Sequence, residues 1–132
     1  MQAAISNVKQ RILVLGAGEL GLAVLRGLAA RSTESASITV LLRQATVQSS
    51  SVKKDQEIDA IRALGVAIEV GDVSDASVEE LSAVFGRFDT VISCVGFAAG
   101  RGTQRKLTEA ALMSGVMRYI PWQFGVDYDL IG

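Results

Sequence analysis

The glycines at 16, 18 and 21 form a GxGxxG run, entered directly from the apolar stretch Ile12-Leu13-Val14-Leu15 and followed at once by a helical pattern from Glu19 to Ala30. In that setting each glycine has its own task. Gly16 permits a tight turn, Gly18 lets a pyrophosphate approach the backbone without meeting a Cβ, and Gly21 allows the helix to pack on the strand. The helix N-terminus points its N–H groups and the positive end of its dipole at the phosphates. Gly16, Gly18, Glu19, Leu20 and Gly21 are therefore candidate cofactor contacts, with the Glu19 carboxylate expected to point outward because it would repel a diphosphate. The plainer reading is that these glycines merely allow a tight βα turn.

A second feature lies at the end of the next apolar run, Ile38-Thr39-Val40-Leu41-Leu42, which closes on Arg43. In dinucleotide-binding units an Asp or Glu at this place accepts from the ribose 2′-OH, whereas an Arg accommodates a 2′-phosphate. No acidic residue lies between Glu34 and Asp55. The sequence thus predicts preference for NADPH, with Arg43 as the main 2′-phosphate contact and Lys53 or Lys54 as a second cation. The alternative for Arg43 is a solvated charge at a strand end, and for the lysines an ordinary exposed helix start. A methyltransferase on the same scaffold is disfavoured by Arg43, which stands where a ribose-binding acid is wanted.

Other chemistries are excluded by what the chain lacks. It has no His and one Cys, so Ser-His-Asp and Cys-His nucleophile systems, CxxC redox pairs and Cys-cluster zinc sites do not fit within it. Cys94 reads as a small hydrophobe on a strand, with no flanking cation to lower its pKa. Thirteen Lys and Arg against fourteen Asp and Glu give a net charge of −1 without a basic block, which argues against a nucleic-acid partner. The stretch Ile12 to Leu25 is too short to span a bilayer and is interrupted by Glu19, so neither a membrane span nor a signal peptide is expected. A reducing cytoplasm is the expected compartment.

The elements that position these residues follow from the apolar runs. At 132 residues the chain makes one domain, 1–132, and Val, Leu, Ile and Phe form about 31% of it, enough for a real core. Strands are predicted at Ile12–Leu15, Ile38–Leu42, Val66–Val70, Thr90–Val95 and Met117–Ile120. Most are continuous hydrophobic runs, as when both faces of a parallel sheet are covered. Gly65, Gly86 and Gly115 read as left-handed helix ends. In the helices, Leu20, Val24, Gly27 and Leu28 are expected on one face, with Gly27 pressing close to the sheet. Asp75 or Ser77 caps a buried stripe of Val78, Leu81 and Phe85, and Leu107, Ala110, Ala111 and Leu112 point inward. Gln44 to Lys54 reads as the one long loop. The predicted fold is a three-layer, doubly wound α/β Rossmann sheet of five parallel strands, order 3-2-1-4-5, with its ligand at the carboxyl edge.

Five motifs in order, Arg11 to Gly21, Leu41-Leu42-Arg43, Gly65-Val66 to Gly71-Asp72, Val91 to Gly96 and Val116 to Gly125, resemble those of the NmrA-like family, which includes the isoflavone reductase-like enzymes among the atypical short-chain dehydrogenases. The resemblance covers nearly the whole chain. It implies NADP(H) binding, and either reduction of a small, often aromatic, substrate or non-catalytic sensing of cofactor redox state by a regulator that docks a protein partner. By position, Gly16, Gly18, Gly21 and Arg43 match the cofactor motif. The turn at Val95 and Gly96 matches the segment that passes beneath the adenosine half. Asp72 either approaches the adenine or forms a turn.

The sequence departs from the reductase pattern at the tail of the fifth strand. Those enzymes read Pro-Ser-Glu-Phe-Gly, whereas Trp122 and Gln123 follow Pro121 here, so the lining of the nicotinamide side is expected to differ. The family's catalytic lysine lies beyond this motif, and Val126 to Gly132 contain none; the short-chain Tyr-x-x-x-Lys also fails at Tyr119 and at Tyr128. No catalytic residue and no metal ligand is assigned, and the chain is expected to be the N-terminal part of a longer protein. Trp122, Phe124 and Tyr128 either wall a planar ring or pack against a further segment.

Overall fold

The computed structural model describes residues 10–16, 18–31, 36–47, 52–96 and 102–121 of the chain. Its elements are β1 (Gln10–Leu15), α1 (Glu19–Arg31), β2 (Ala36–Leu42), α2 (Gln44–Val47), α3 (Val52–Ala63), β3 (Ala67–Val70), α4 (Val78–Phe85), β4 (Thr90–Ser93), α5 (Thr103–Ser114) and β5 (Arg118–Ile120). The strands form one sheet in the order β3-β2-β1-β4-β5, and every neighbouring pair is parallel. This is the expected three-layer, doubly wound Rossmann arrangement.

Alternation along the strands sorts the core into two halves. On one face Leu13, Leu15, Leu41 and Val91 meet Leu81 and Phe85 of α4 and Leu107, Ala110 and Ala111 of α5. On the other, Val14, Ile38, Val40 and Leu42 meet Leu25 of α1 and Ile58 and Ile61 of α3. All four residues of β4 are buried, whereas β3 and β5 contain no fully buried residue. Both-face burial therefore holds for the sheet's centre and fails at its edges, where a strand has only one neighbour.

Local signals acted as their chemistry dictates at several points. Ser77, rather than Asp75, caps α4: its hydroxyl accepts from the Glu80 N–H at 3.1 Å, and Glu80 Oε1 accepts from the Ser77 N–H at 3.2 Å. Gly65 and Gly115 take positive φ, 80° and 71°, at the ends of α3 and α5. At the amino edge of the sheet Asp89 accepts from the Arg11 N–H at 2.8 Å and from its guanidinium at 3.3 Å, which holds its carboxyl below the usual carboxylate range.

Four expectations need correction. Gly86 is right-handed, with φ −63°, because its N–H continues the helical pattern onto Ser82 and Val84 instead of reversing the chain. Leu112 is 79% exposed; the inward stripe of α5 is Thr103, Leu107, Ala110 and Ala111, and residue 112 is rotated off it. Gly27 faces solvent with open space about it, since α1 turns Gly21 and Leu25 inward. The segment after Arg43 is not one loop: α2 occupies Gln44–Val47, and α3 begins at Val52.

Candidate functional site

Three backbone hydrogen bonds bring the strand ends together at the carboxyl edge. The Gly16 N–H donates to the Leu41 carbonyl at 3.2 Å, the Gly71 N–H to Leu42 at 2.8 Å, and the Cys94 N–H to Leu15 at 2.9 Å. Each is a neighbouring chain continuing the ladder one step past its strand. The exits from β1, β2, β3 and β4 thus lie side by side, at the place where the strand order reverses and ligands of open α/β sheets bind.

The glycine turn is built as its spacing predicts. Gly16 has φ 85°, a left-handed conformation that disfavours any side chain. A Cβ on Gly21 would collide with the Gly16 carbonyl oxygen and lie 3.0 Å from its carbon, so only glycine lets α1 start this close to the β1 exit. A Cβ on Gly18, by contrast, would meet nothing within 4 Å among the described residues. That position is open and exposed. The Gly18 carbonyl accepts from Leu22 N–H at 2.9 Å, which starts the helix there. The N–H groups of Glu19, Leu20 and Gly21 fall in the first turn and have no intrahelical acceptor. The direction of the Glu19 side chain lies outside the described residues.

Val95 borders the same turn, and Gly96 follows it, half-buried. A Cβ built on Gly16 would lie 3.5 Å from Val95 Cγ2 and 3.6 Å from the Cys94 carbonyl oxygen, ordinary contact distances. The β4 tail therefore packs directly against the glycine turn. Val95 is fixed by α5: Gln104 Nε2 donates to its carbonyl at 2.5 Å. Cys94 is half-buried beside Gly21, and burial pushes its thiol up to about 11, so a protonated, space-filling role agrees with the structure and a nucleophilic one does not.

Arg43 is exposed one residue beyond the Leu42 carbonyl that receives Gly71, and its own carbonyl accepts from Val47 N–H at 3.2 Å to open α2. It thus sits between the glycine turn and the β3 exit. Lys53 is exposed in the first turn of α3, and among the described residues no hydrogen bond or ion pair joins it to Arg43. The Lys54 side chain, Trp122, Gln123, Phe124 and Tyr128 lie outside the described residues.

Asp72 forms a turn: its carboxylate accepts from the Ser74 N–H at 2.9 Å, and its carbonyl from Asp75 and Ala76. It also lines a pocket of about 310 Å³ between the ends of β2 and β3 and the face of α4, with Leu41, Gly71 and Leu81 among the other walls. A turn role and a place at the pocket are therefore compatible. Sequence reasoning missed Gln104 and Lys106, whose Nζ donates to the Ser74 carbonyl at 2.9 Å, because nothing in a helix's polar face signals a bond to a distant carbonyl.

Sheet order, the reversal point and a glycine turn against a helix N-terminus define a Rossmann-type domain. Within that class the chain belongs to the NmrA-like family, whose profile matches residues 8–132. An NmrA-like family domain-containing oxidoreductase of Gibberella moniliformis is 47% identical over 95% of this chain and 41% of its own length. The isoflavone reductase homolog P3 of Arabidopsis thaliana is 34% identical over 92% of this chain and 37% of its own. Among solved structures, AtPrR2 with NADP+ and (+)-pinoresinol superposes with a TM-score of 0.72 and 27% identity, over 95% of this chain and 40% of that one. The chain thus spans about two-fifths of the length of the curated relatives it matches. No described helix is long and apolar enough to cross a membrane, and no described cluster of His, Cys, Asp or Glu could hold a metal ion.

Proposed function

We propose that residues 1–132 form the NADP(H)-binding domain of an isoflavone reductase-like oxidoreductase that reduces a small molecule. The observation that carries this is the contrast between Gly21, closed by backbone, and Gly18, open to solvent at the first turn of α1. On this reading the diphosphate lies across Gly16, Gly18 and the N–H groups of Glu19, Leu20 and Gly21. Arg43 receives the 2′-phosphate, Val95 and Gly96 pass beneath the adenosine half, and Asp72 borders the adenine. Lys53, exposed at the start of α3, supplies a second cation. The bound nicotinamide would supply the hydride; this chain's residues bind and orient it and keep its diphosphate at the sheet edge.

The relatives support the reading. They include an oxidoreductase and a reductase homologue, and the similar structure holds NADP+. No described feature favours the regulator reading over the reductase one. The test is a fluorescence titration with NADPH and NADH, repeated on Arg43→Ala. A charge-assisted hydrogen bond contributes about 1.5–3 kcal/mol, so NADPH affinity should fall roughly ten- to hundredfold while NADH affinity hardly changes. Equal NADPH/NADH ratios in both proteins would refute the cofactor assignment. Oxidation of NADPH by carbonyl or enone substrates, measured on the chain carrying whatever follows residue 132, separates a reductase from a regulator.

A further inference from the structure

The first turns of α5 hold two of the walls assigned above. β5 pairs with β4 only over Thr90–Ile92, so among the described residues the sheet ladder stops short of Val95. The Val95 carbonyl is instead taken by Gln104 Nε2 at 2.5 Å. Two positions along, Lys106 Nζ reaches the Ser74 carbonyl at 2.9 Å, in the turn whose Ser74 N–H is held by Asp72. Residues two apart on a helix point in widely different directions. One short stretch of α5 therefore reaches both the β4 tail and the β3–α4 turn.

We infer that Gln104 is a positioning residue for the dinucleotide, fixing the β4 tail so that Val95 stays packed on Gly16, and that Lys106 does the same for the Asp72 turn. Neither side chain is assigned a contact with the cofactor. Gln104 acts through the Val95 carbonyl and Lys106 through the Ser74 carbonyl. Val95 Cγ2 lies 3.5 Å from where a Gly16 Cβ would be, and the Cys94 N–H before it is bonded to the Leu15 carbonyl at 2.9 Å, so a shift of the tail is felt at the phosphate turn. A side-chain amide donor is suited to this task because it satisfies a carbonyl that has run out of strand partners. The inference rests on the function proposed above.

The experiment measures binding of NADPH and of adenosine 2′,5′-bisphosphate to the chain with Gln104→Leu, Gln104→Glu and Lys106→Met, alongside thermal melting without ligand. Glu keeps the size of Gln and replaces the donor by an acceptor. Both Gln104 variants should bind each ligand about five- to tenfold more weakly, with melting midpoints within about 3 °C of wild type. Lys106→Met should weaken both ligands by a smaller factor in the same direction. Wild-type affinity in a folded Gln104→Glu protein would overturn the inference. So would melting losses large enough to account for the binding losses in both Gln104 variants, since the residue would then be merely structural. A wild-type chain that binds neither ligand refutes the proposed function and takes this inference with it, an outcome read before any variant is made.

Discussion

Replacing Gly21 by Ala should damage the domain twice, and comparison with Gly18→Ala separates the two effects. The new methyl would stand 3.0 Å from the Gly16 carbonyl carbon and closer still to its oxygen. Carbon pairs at optimal separation lie about 3.5–4.0 Å apart, so α1 or the turn must move by at least about half an ångström. Both opposing atoms belong to backbone held by the Gly16–Leu41 hydrogen bond, so neither yields as a side chain would. Overpacking of this kind costs about 1–3 kcal/mol. The better helix propensity of Ala returns less than about 1 kcal/mol. A net loss of about 1–2 kcal/mol lowers the melting midpoint of a domain this size by roughly 4–8 °C. Gly18→Ala meets open space among the described residues, and its stability cost is that of a poorer N-cap, under about 1 kcal/mol. Its methyl nevertheless occupies the approach proposed for the diphosphate. Thermal melting followed by circular dichroism, with an NADPH titration on each folded variant, should show Gly21→Ala impaired in both assays and Gly18→Ala in binding alone. A Gly21→Ala protein that melts like wild type, or a Gly18→Ala protein that binds like wild type, refutes the steric reasoning.

Three further outcomes are expected. Among the described residues the Tyr119 hydroxyl is buried with no partner in hydrogen-bond geometry, and burial raises its pKa despite nearby Thr108 and Ser93; Tyr119→Phe should therefore raise stability by about 1 kcal/mol in urea melts, and a loss would reveal a further partner. The Cys94 thiol, at about 11 instead of 9.0, presents about a hundredfold less thiolate at pH 8 than an unperturbed cysteine. Labelling by a disulfide reagent should be correspondingly slow in the folded chain and become fast on denaturation. Asp89 titrates below its ordinary value in the fold, so its contribution is present above the unfolded carboxylate pKa and lost as pH falls through the folded one. Asp89→Ala should accordingly be less stable than wild type at neutral pH, with the gap closing in strong acid.

Strand order and turn geometry were legible because they rest on patterns that repeat along the chain. Apolar runs separated by helical segments specify a parallel sheet, and GxGxxG between the first strand and helix specifies which end is functional. Residues whose role depends on rotation about a helix were less legible. Leu112 and Ala111 are neighbours in sequence, yet one is outside and the other inside, and Gly27 lies on the side of α1 opposite Leu25. Gly86 shows that a glycine before a strand marks the end of a helix without fixing its handedness. Arg43 could be placed at the tip of the second strand because strand ends are readable, whereas Gln104 and Lys106 escaped because their acceptors are 9 and 32 residues away. For Asp72, read either as an adenine neighbour or as a turn former, the structure shows the turn, on the wall of a pocket.

The three hydrogen bonds that carry the ladder past β1, β3 and β4 give neighbouring amides different fates in deuterated water. The amides of Gly16, Gly71 and Cys94 are locked into adjacent strands, so their protons should leave only when the sheet itself opens. Those of Glu19, Leu20 and Gly21, a few residues along, lack helical acceptors and should exchange quickly in the empty domain. An anion seated across them would slow that second set and leave the first unchanged. The mouth of the domain thus carries its own internal standard for occupancy, readable residue by residue without any enzymatic assay.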